Sequence, residues 1–460
     1  MIDEIRVLSP TAILGYGFPL ASFEAGLDRN PHVIAVDAGS TDPGPYYLGS
    51  GHSFTDRTAV KRDLEAMLVA GRRLNIPVII GTAGGSGANS HLDWCLEIVR
   101  ELATEHGLSF KLAVIEAEIP KRELLRRFER GEIKPLPPGG ELSREDLEQS
   151  TAVVGQMGME PFIKALEAGA EVILAGRSYD PAVFAAYPVL RGFDRALALH
   201  MGKILECASI AATPGSGSDC MMGYLGRDHF RLEPLNPMRK CTVTSVAAHT
   251  LYEKTNPYLL PGPGGTLDLR ETTFEQVEER VVKVAGSKFI PAEPYTIKLE
   301  GARLAGYRTV SIAGARDPVF IAKVDEIIQG VRERVADNFR ALEGKYRLIF
   351  RLYGRDGVMG DLEPLLEPAS HELGIIIEAV AETQEEANTV CSFARSTMLH
   401  YGYPGRMATA GNLAFPYSPS DFKAGEVYRF AVHHLLEVKN PVELFPMRFE
   451  DIPGVRGENR

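Results

Sequence analysis

No long apolar run, no excess of basic residues and no paired cysteine spacing occurs in this chain of 460 residues. Each absence removes a class of protein. Nowhere do roughly 18 apolar residues follow one another, so no membrane span is expected. The formal charge of -11, with no basic stripe interleaved with aromatics, argues against a nucleic-acid partner. The start, Met1-Ile2-Asp3-Glu4-Ile5-Arg6, is charged and carries no apolar stretch, so no secretory leader is expected. Cys95, Cys207, Cys220, Cys241 and Cys391 are scattered and odd in number, which gives neither a disulfide framework nor a zinc knuckle. A reduced cytoplasmic protein follows as the expectation. Familiar catalytic signatures are missing too: no intact Gly-x-Gly-x-x-Gly, no Walker loop, no Gly-x-Ser-x-Gly elbow and no His-Glu-x-x-His.

What remains is ordinary globular material, 45% hydrophobic and 24% charged, and too long for one core, so two domains are expected. Apolar runs at 32–36, 78–80, 112–115, 153–154 and 172–175 read as strands buried on both faces. Helical stripes lie between them, such as Val60, Leu64, Met67, Leu68 and Leu74 after Asp56. This alternation predicts an α/β fold: a doubly wound, mostly parallel sheet with helices on both faces, over 1–230. A βα barrel is the alternative. The alternation fades after Cys207, and Asn256 to Gly265 is too rich in proline and glycine for a helix or a central strand. An α+β domain is expected over 231–460, with a helix opened by Thr273 and Gln276, a long helix after Pro318, strands at 346–352 and 374–381, and a helix boxed by Thr383 and Glu386.

Chemistry-bearing residues gather where strands end. The run 78–93 leads from a buried strand through Gly81, Gly84, Gly85, Ser86 and Gly87 into a helix; such a turn can cradle an anion or serve only as a tight corner. Ser90 with Asp93 has capping-box spacing, and His91 is left open. Asp37 closes the strand before a glycine-rich loop that ends at His52; both are candidate catalytic groups, whereas Asp42 suits an Asx-turn. Arg177 follows the 172–175 strand and could grip a carboxylate bidentately or pair with Asp180 or Glu206. Asp180, before Pro181, reads as a helix N-cap. Lys203 and Glu206, one helical turn apart, are an ordinary intrahelical pair or part of the site, and Asp219 closes another glycine–serine loop. His249 reads as a core histidine that could reach a cleft. Cys207 reads as a small buried residue.

These segments together resemble the acyclic terpene utilisation family (AtuA-type proteins). The resemblance rests on the strand-end Asp37, Thr82-Ala-Gly-Gly85, Gly169-Ala-Glu-Val-Ile-Leu-Ala-Gly-Arg177, Gly202-Lys-Ile-Leu-Glu-Cys207 and Thr244 to Glu253. It implies breakdown of carboxylic acids or their CoA thioesters by a lyase step, and a small separate companion protein as partner. The residues and the resemblance lead to one expectation: a hydratase, dehydratase or C–C lyase acting on a hydroxylated carboxylic acid or its CoA thioester. Asp37, His52, Glu206 and Asp219 would be catalytic. Gly84, Gly85, Ser86, Gly87, Arg177, Lys203 and His249 would bind substrate. No cofactor is assigned; a divalent metal could polarise the substrate carboxylate or leaving hydroxyl, with Asp37, His52, Glu206 and Asp219 as its ligands. A homo-oligomer without nucleic-acid or membrane partners is expected. The competing readings are a non-catalytic ligand-binding subunit of a two-component enzyme, and a hydrolase acting through Cys207 or Ser245.

Overall fold

Strands made almost wholly of valine, isoleucine, leucine and alanine need cover on both sides, and the fold supplies it. A computed structural model describes residues 3–137, 139–252, 255–365 and 370–454. Its largest sheet has ten strands. At its centre Ile5–Ser9, Val33–Asp37, Val78–Gly81, Val172–Ala175 and Phe110–Ile115 lie side by side in that order, all parallel. Met221–Leu225 adds antiparallel beside Ile5–Ser9, followed outward by His229–Pro234, Val281–Ala285 and Thr273–Glu278. Met447–Ile452 closes the other edge against Phe110–Ile115. The sheet is open, which excludes the barrel alternative.

Alternate residues of the central strands serve two separate cores. Leu8, Ile34, Val36, Ile80 and Leu174 pack against Phe23, Leu64 and Leu96 from the helices Leu20–Leu27, Arg57–Leu74 and Asn89–Glu105. Val7, Val33, Ala35, Ile79 and Ile173 pack on Phe162, Phe184 and Met201 from Glu160–Glu167, Asp180–Leu190 and Arg195–Leu205. The order explains the two faces. The chain steps outward as far as Phe110–Ile115, then turns back to insert Val172–Ala175 between the two preceding strands. With right-handed crossovers, reversing direction moves the connecting helices to the opposite face. This is the doubly wound arrangement that the sequence predicts.

By the density of internal contacts, the described residues up to Arg303 together with those from Phe430 onward form one unit, and Leu304–Arg429 forms a second. The division at residue 230 is corrected accordingly: His229–Pro234 and Val281–Ala285 extend the first sheet rather than starting a new domain. Two local expectations are also revised. Thr273–Glu278 is an edge strand, not a helix; its capping-box spacing is fortuitous. Ala152–Gly155 pairs antiparallel with Leu299–Ala302 instead of joining the parallel strands. The second unit is α+β as expected. Tyr346–Tyr353, Leu373–Ala381 and Tyr307–Ala315 form antiparallel neighbours. Their core, including Ile375 and Ile377, receives Ile327 and Val331 from Val324–Asn338, and Val390 and Ala394 from Gln384–His400. Thr383 and Glu386 make the expected reciprocal cap.

Candidate functional site

A two-lobed polar cavity lies in the first unit. One lobe, of about 350 Å³, is lined by Asp42, Gln156, Arg177, Tyr179, Asp180, Glu206 and Lys298. The other, of about 250 Å³, is lined by Ala12, Ile13, Tyr16, Asp37, Phe54, Ile210 and Tyr252, with Cys207 in its wall. Asp42, Asp180 and Glu206 belong to both lobes. Several of these groups sit at or just beyond the carboxyl ends of central strands, where doubly wound sheets collect ligands. Asp37 is the last residue of Val33–Asp37, and Arg177 follows Val172–Ala175 by one glycine.

Asp37 is only 6% exposed, and its Oδ1 has no hydrogen-bond partner among the described residues. Burial raises its carboxyl well above the usual carboxylate value. Asp180 and Glu206 push in the same direction, against Arg177 and the Gly39 N–H. A raised carboxyl facing a cavity is suited to donate a proton. Glu206 follows the helix Arg195–Leu205, where Lys203 Nζ donates to its Oε1. Burial pulls Lys203 down, but Glu206 and Cys207 outweigh it and hold the ammonium charged. The pair is the contact that the spacing allows; Glu206 lines both lobes, whereas Lys203 is buried behind it and is not in the cavity wall.

Arg177 is occupied rather than open. Its Nε donates to Glu300 Oε2 at 2.6 Å, and its Nη1 donates to Asp180 Oδ1 at 2.9 Å and to the Ser178 carbonyl at 2.7 Å. Glu300 comes from the strand Tyr295–Ala315 and also accepts from Lys298 Nζ and Thr41 Oγ1, both at 2.7 Å. Burial would raise Glu300, yet Arg177 and Lys298 hold it well below the usual carboxylate range. Asp180 does not cap its helix. It occupies the first helical position and turns its carboxylate to Arg177, and the helix has no side-chain cap.

Other expected site residues lie elsewhere. His52 is exposed and stacks on Tyr46, with ring centroids 6.1 Å apart, and is not in the cavity wall. Asp219 is buried among Arg239 Nε and Asn236 Nδ2, each at 2.7 Å, and the Cys220 N–H at 2.9 Å; although burial acts the other way, these partners hold it below the usual value. It is a structural carboxylate. Gly84, Gly85, Ser86 and Gly87 form an interior corner rather than an anion cradle, and none of them lines the cavity. Gly87 has φ +68°, and a Cβ there would overlap the Arg177 backbone nitrogen. The glycine lets two strand ends touch. The helix after it starts at Asn89 without the Ser90–Asp93 box, and Asp93 is exposed. His249 is buried behind Tyr252, stacked on it at 5.3 Å. Burial, aided by Lys203, brings its ring down to about 3, so it is neutral. Ser245 belongs to the cap of its own helix. Among the described residues no three His, Cys, Asp or Glu side chains are grouped to hold a metal ion.

Lys298 and Glu300 were not foreseen in the sequence; their strand lies about 120 residues beyond Arg177, and only the long-range pairing brings it there. Tyr16, Tyr179 and Tyr252 gave no signal beyond being aromatic.

No curated protein and no solved structure matches this chain. No helix among the described residues is long and apolar enough to cross a membrane. A family model described as "Acyclic terpene utilisation family protein AtuA" matches residues 54–219 and 236–422, which is more than half of the chain and includes Arg177, Glu206 and Glu300. The chain belongs to the acyclic terpene utilisation family.

Proposed function

We propose that the first unit is a lyase that adds or removes water, or cleaves a C–C bond, in a hydroxylated carboxylic acid or its CoA thioester. The observation that carries this reading is the pairing of unlike carboxyl groups across one small cavity. Burial and the neighbouring acids raise the Asp37 carboxyl, which favours its protonated form, and Glu206 is paired with an ammonium group. Divergent environments for two neighbouring acids are the usual way to provide an acid and a base at one pH. In a dehydration, Glu206 takes the proton from the carbon next to the carbonyl. Asp37 protonates the departing hydroxyl, which leaves as water. Arg177 and Lys298 hold Glu300 and Asp180 in place and so shape the wall against which the acyl end lies. Family membership supports a role in terpene or carboxylate breakdown. The five unbridged thiols suit the reducing cytoplasm in which we place the reaction.

The test is turnover of a panel of 3-hydroxyacyl thioesters and free 3-hydroxy acids, followed by absorbance of the unsaturated product. Asp37→Asn and Glu206→Gln should each lower kcat by about two to four orders of magnitude, as expected for loss of a general acid or base. An Asp37→Asn variant as active as the parent removes the assignment. Activity carried by the parent should fall as pH rises through the Asp37 titration, because only the protonated acid can donate.

A further inference from the structure

The two lobes differ in chemistry, and the difference narrows the substrate. In the polar lobe every cation already has a carboxylate. Arg177 is bonded to Glu300 and Asp180, and Lys298 to Glu300; behind the wall, Lys203 is bonded to Glu206. Of the residues that line this lobe, three are acids, Asp42, Asp180 and Glu206, and two are cations, Arg177 and Lys298. An incoming carboxylate would add a negative charge to a lobe whose lining acids already outnumber its cations, and both of those cations are already bonded to carboxylates. Like charges in a partly desolvated site repel strongly. The second lobe has another character: Ala12, Ile13, Tyr16, Phe54 and Ile210 give it an apolar wall, and its volume of about 250 Å³ is small.

The Tyr16 wall is also anchored. Asp63, buried in the helix Arg57–Leu74, accepts the Gly15 N–H at 2.8 Å and the Gly17 N–H at 3.0 Å through one oxygen. The two amides on either side of Tyr16 are thus tied to one rigid helix, which fixes the backbone that carries the ring.

We infer that the substrate enters this cavity with an uncharged acyl end, as a thioester, ester or amide, and lays a short apolar chain against the Tyr16 wall. The inference rests on the lyase reading only in placing the reacting carbons beside Asp37 and Glu206. The polar lobe then offers hydrogen bonds to a carbonyl and a hydroxyl instead of a counter-charge. The apolar lobe measures chain length. Any large carrier portion stays outside, since both lobes are at or below the small end of ligand pockets.

Binding, not turnover, tests this. The probes are N-acetylcysteamine thioesters of 3-hydroxybutanoate and 3-hydroxyhexanoate and the two free acids, titrated calorimetrically into the full-length protein. Each thioester should bind at least about tenfold tighter than its acid, and each added methylene should tighten binding by roughly threefold to fourfold. Tyr16→Ala should move the preference to longer chains, and Tyr16→Trp to shorter ones. Free acids that bind as well as thioesters overturn the inference, as do affinities independent of chain length or a failure of every thioester to bind. Selective thioester binding without turnover of any of them would support the inference while removing the lyase reading.

Discussion

Arg177 shows how burial decides between two roles that a sequence leaves open. An arginine one glycine beyond a strand end can be a substrate clamp or an ion-pair partner, and this side chain is 2% exposed with Glu300 and Asp180 on it. Arg177→Met should therefore lower unfolding free energy by about 3–5 kcal/mol, the usual cost of leaving one member of a buried pair alone. Arg177→Met with Glu300→Leu should recover much of that loss. Urea denaturation of both variants checks it; an unchanged midpoint for Arg177→Met would reject the scaffold role. Asp37 should behave in the opposite way. Its folded carboxyl binds a proton more tightly than the unfolded one, so stability is lost as pH rises from the ordinary carboxylate value through the raised one. Asp37→Asn removes that penalty and should melt higher than the parent at neutral pH while losing activity. A lower melting temperature would mean that the carboxyl is structural.

Elements were legible where local pattern and burial agree. Val33–Asp37 is buried at every position and reads as a central strand without help. Gln384–His400 announces itself by its cap, and Thr383→Ala should cost about 1 kcal/mol by chemical denaturation. Thr273–Glu278 misleads because two residues at the right spacing imitate a cap, while five of its six residues are exposed and nothing apolar repeats at helical period. Cap spacing without a stripe is weak evidence. The loop after Val78–Gly81 illustrates a different ambiguity. Glycines that admit a ligand and glycines that admit another stretch of backbone look alike in sequence. A contrast of two substitutions separates backbone conformation from crowding. Gly44→Ala meets nothing within 4 Å and bears only the strain of φ +114°, roughly 1–2 kcal/mol. Gly87→Ala adds overlap with the Arg177 backbone to its own positive φ, and should drop the melting temperature far more. Equal shifts would show that the corner can relax.

At the scale of the whole molecule, the site was half legible. Asp37, Arg177 and Glu206 stand near strand or helix ends in the first half of the chain, where topology alone nominates them. Lys298 and Glu300 reach the cavity on a strand whose partner, Ala152–Gly155, lies some 145 residues earlier, and no local pattern reports such a pairing. His52 and Asp219 failed for the converse reason: loop acids and histidines near glycines are plentiful, and most meet an ordinary partner such as Tyr46 or Arg239. Each unit also has a core of its own, so calorimetry should resolve two unfolding steps. A thioester bound in the cavity should raise the step belonging to the first unit by about 2.7 kcal/mol at a hundred times its Kd, and a shift confined to the other step would place the site wrongly. The distribution of thiols over the molecule gives those titrations an optical readout. Cys95, Cys220, Cys241 and Cys391 are buried, with Cys95, Cys241 and Cys391 pushed up to about 12, whereas Cys207 is only half-buried in the cavity wall. A maleimide fluorophore offered to the native protein should thus couple at one position, and its emission would report occupancy of the chamber without any engineered cysteine.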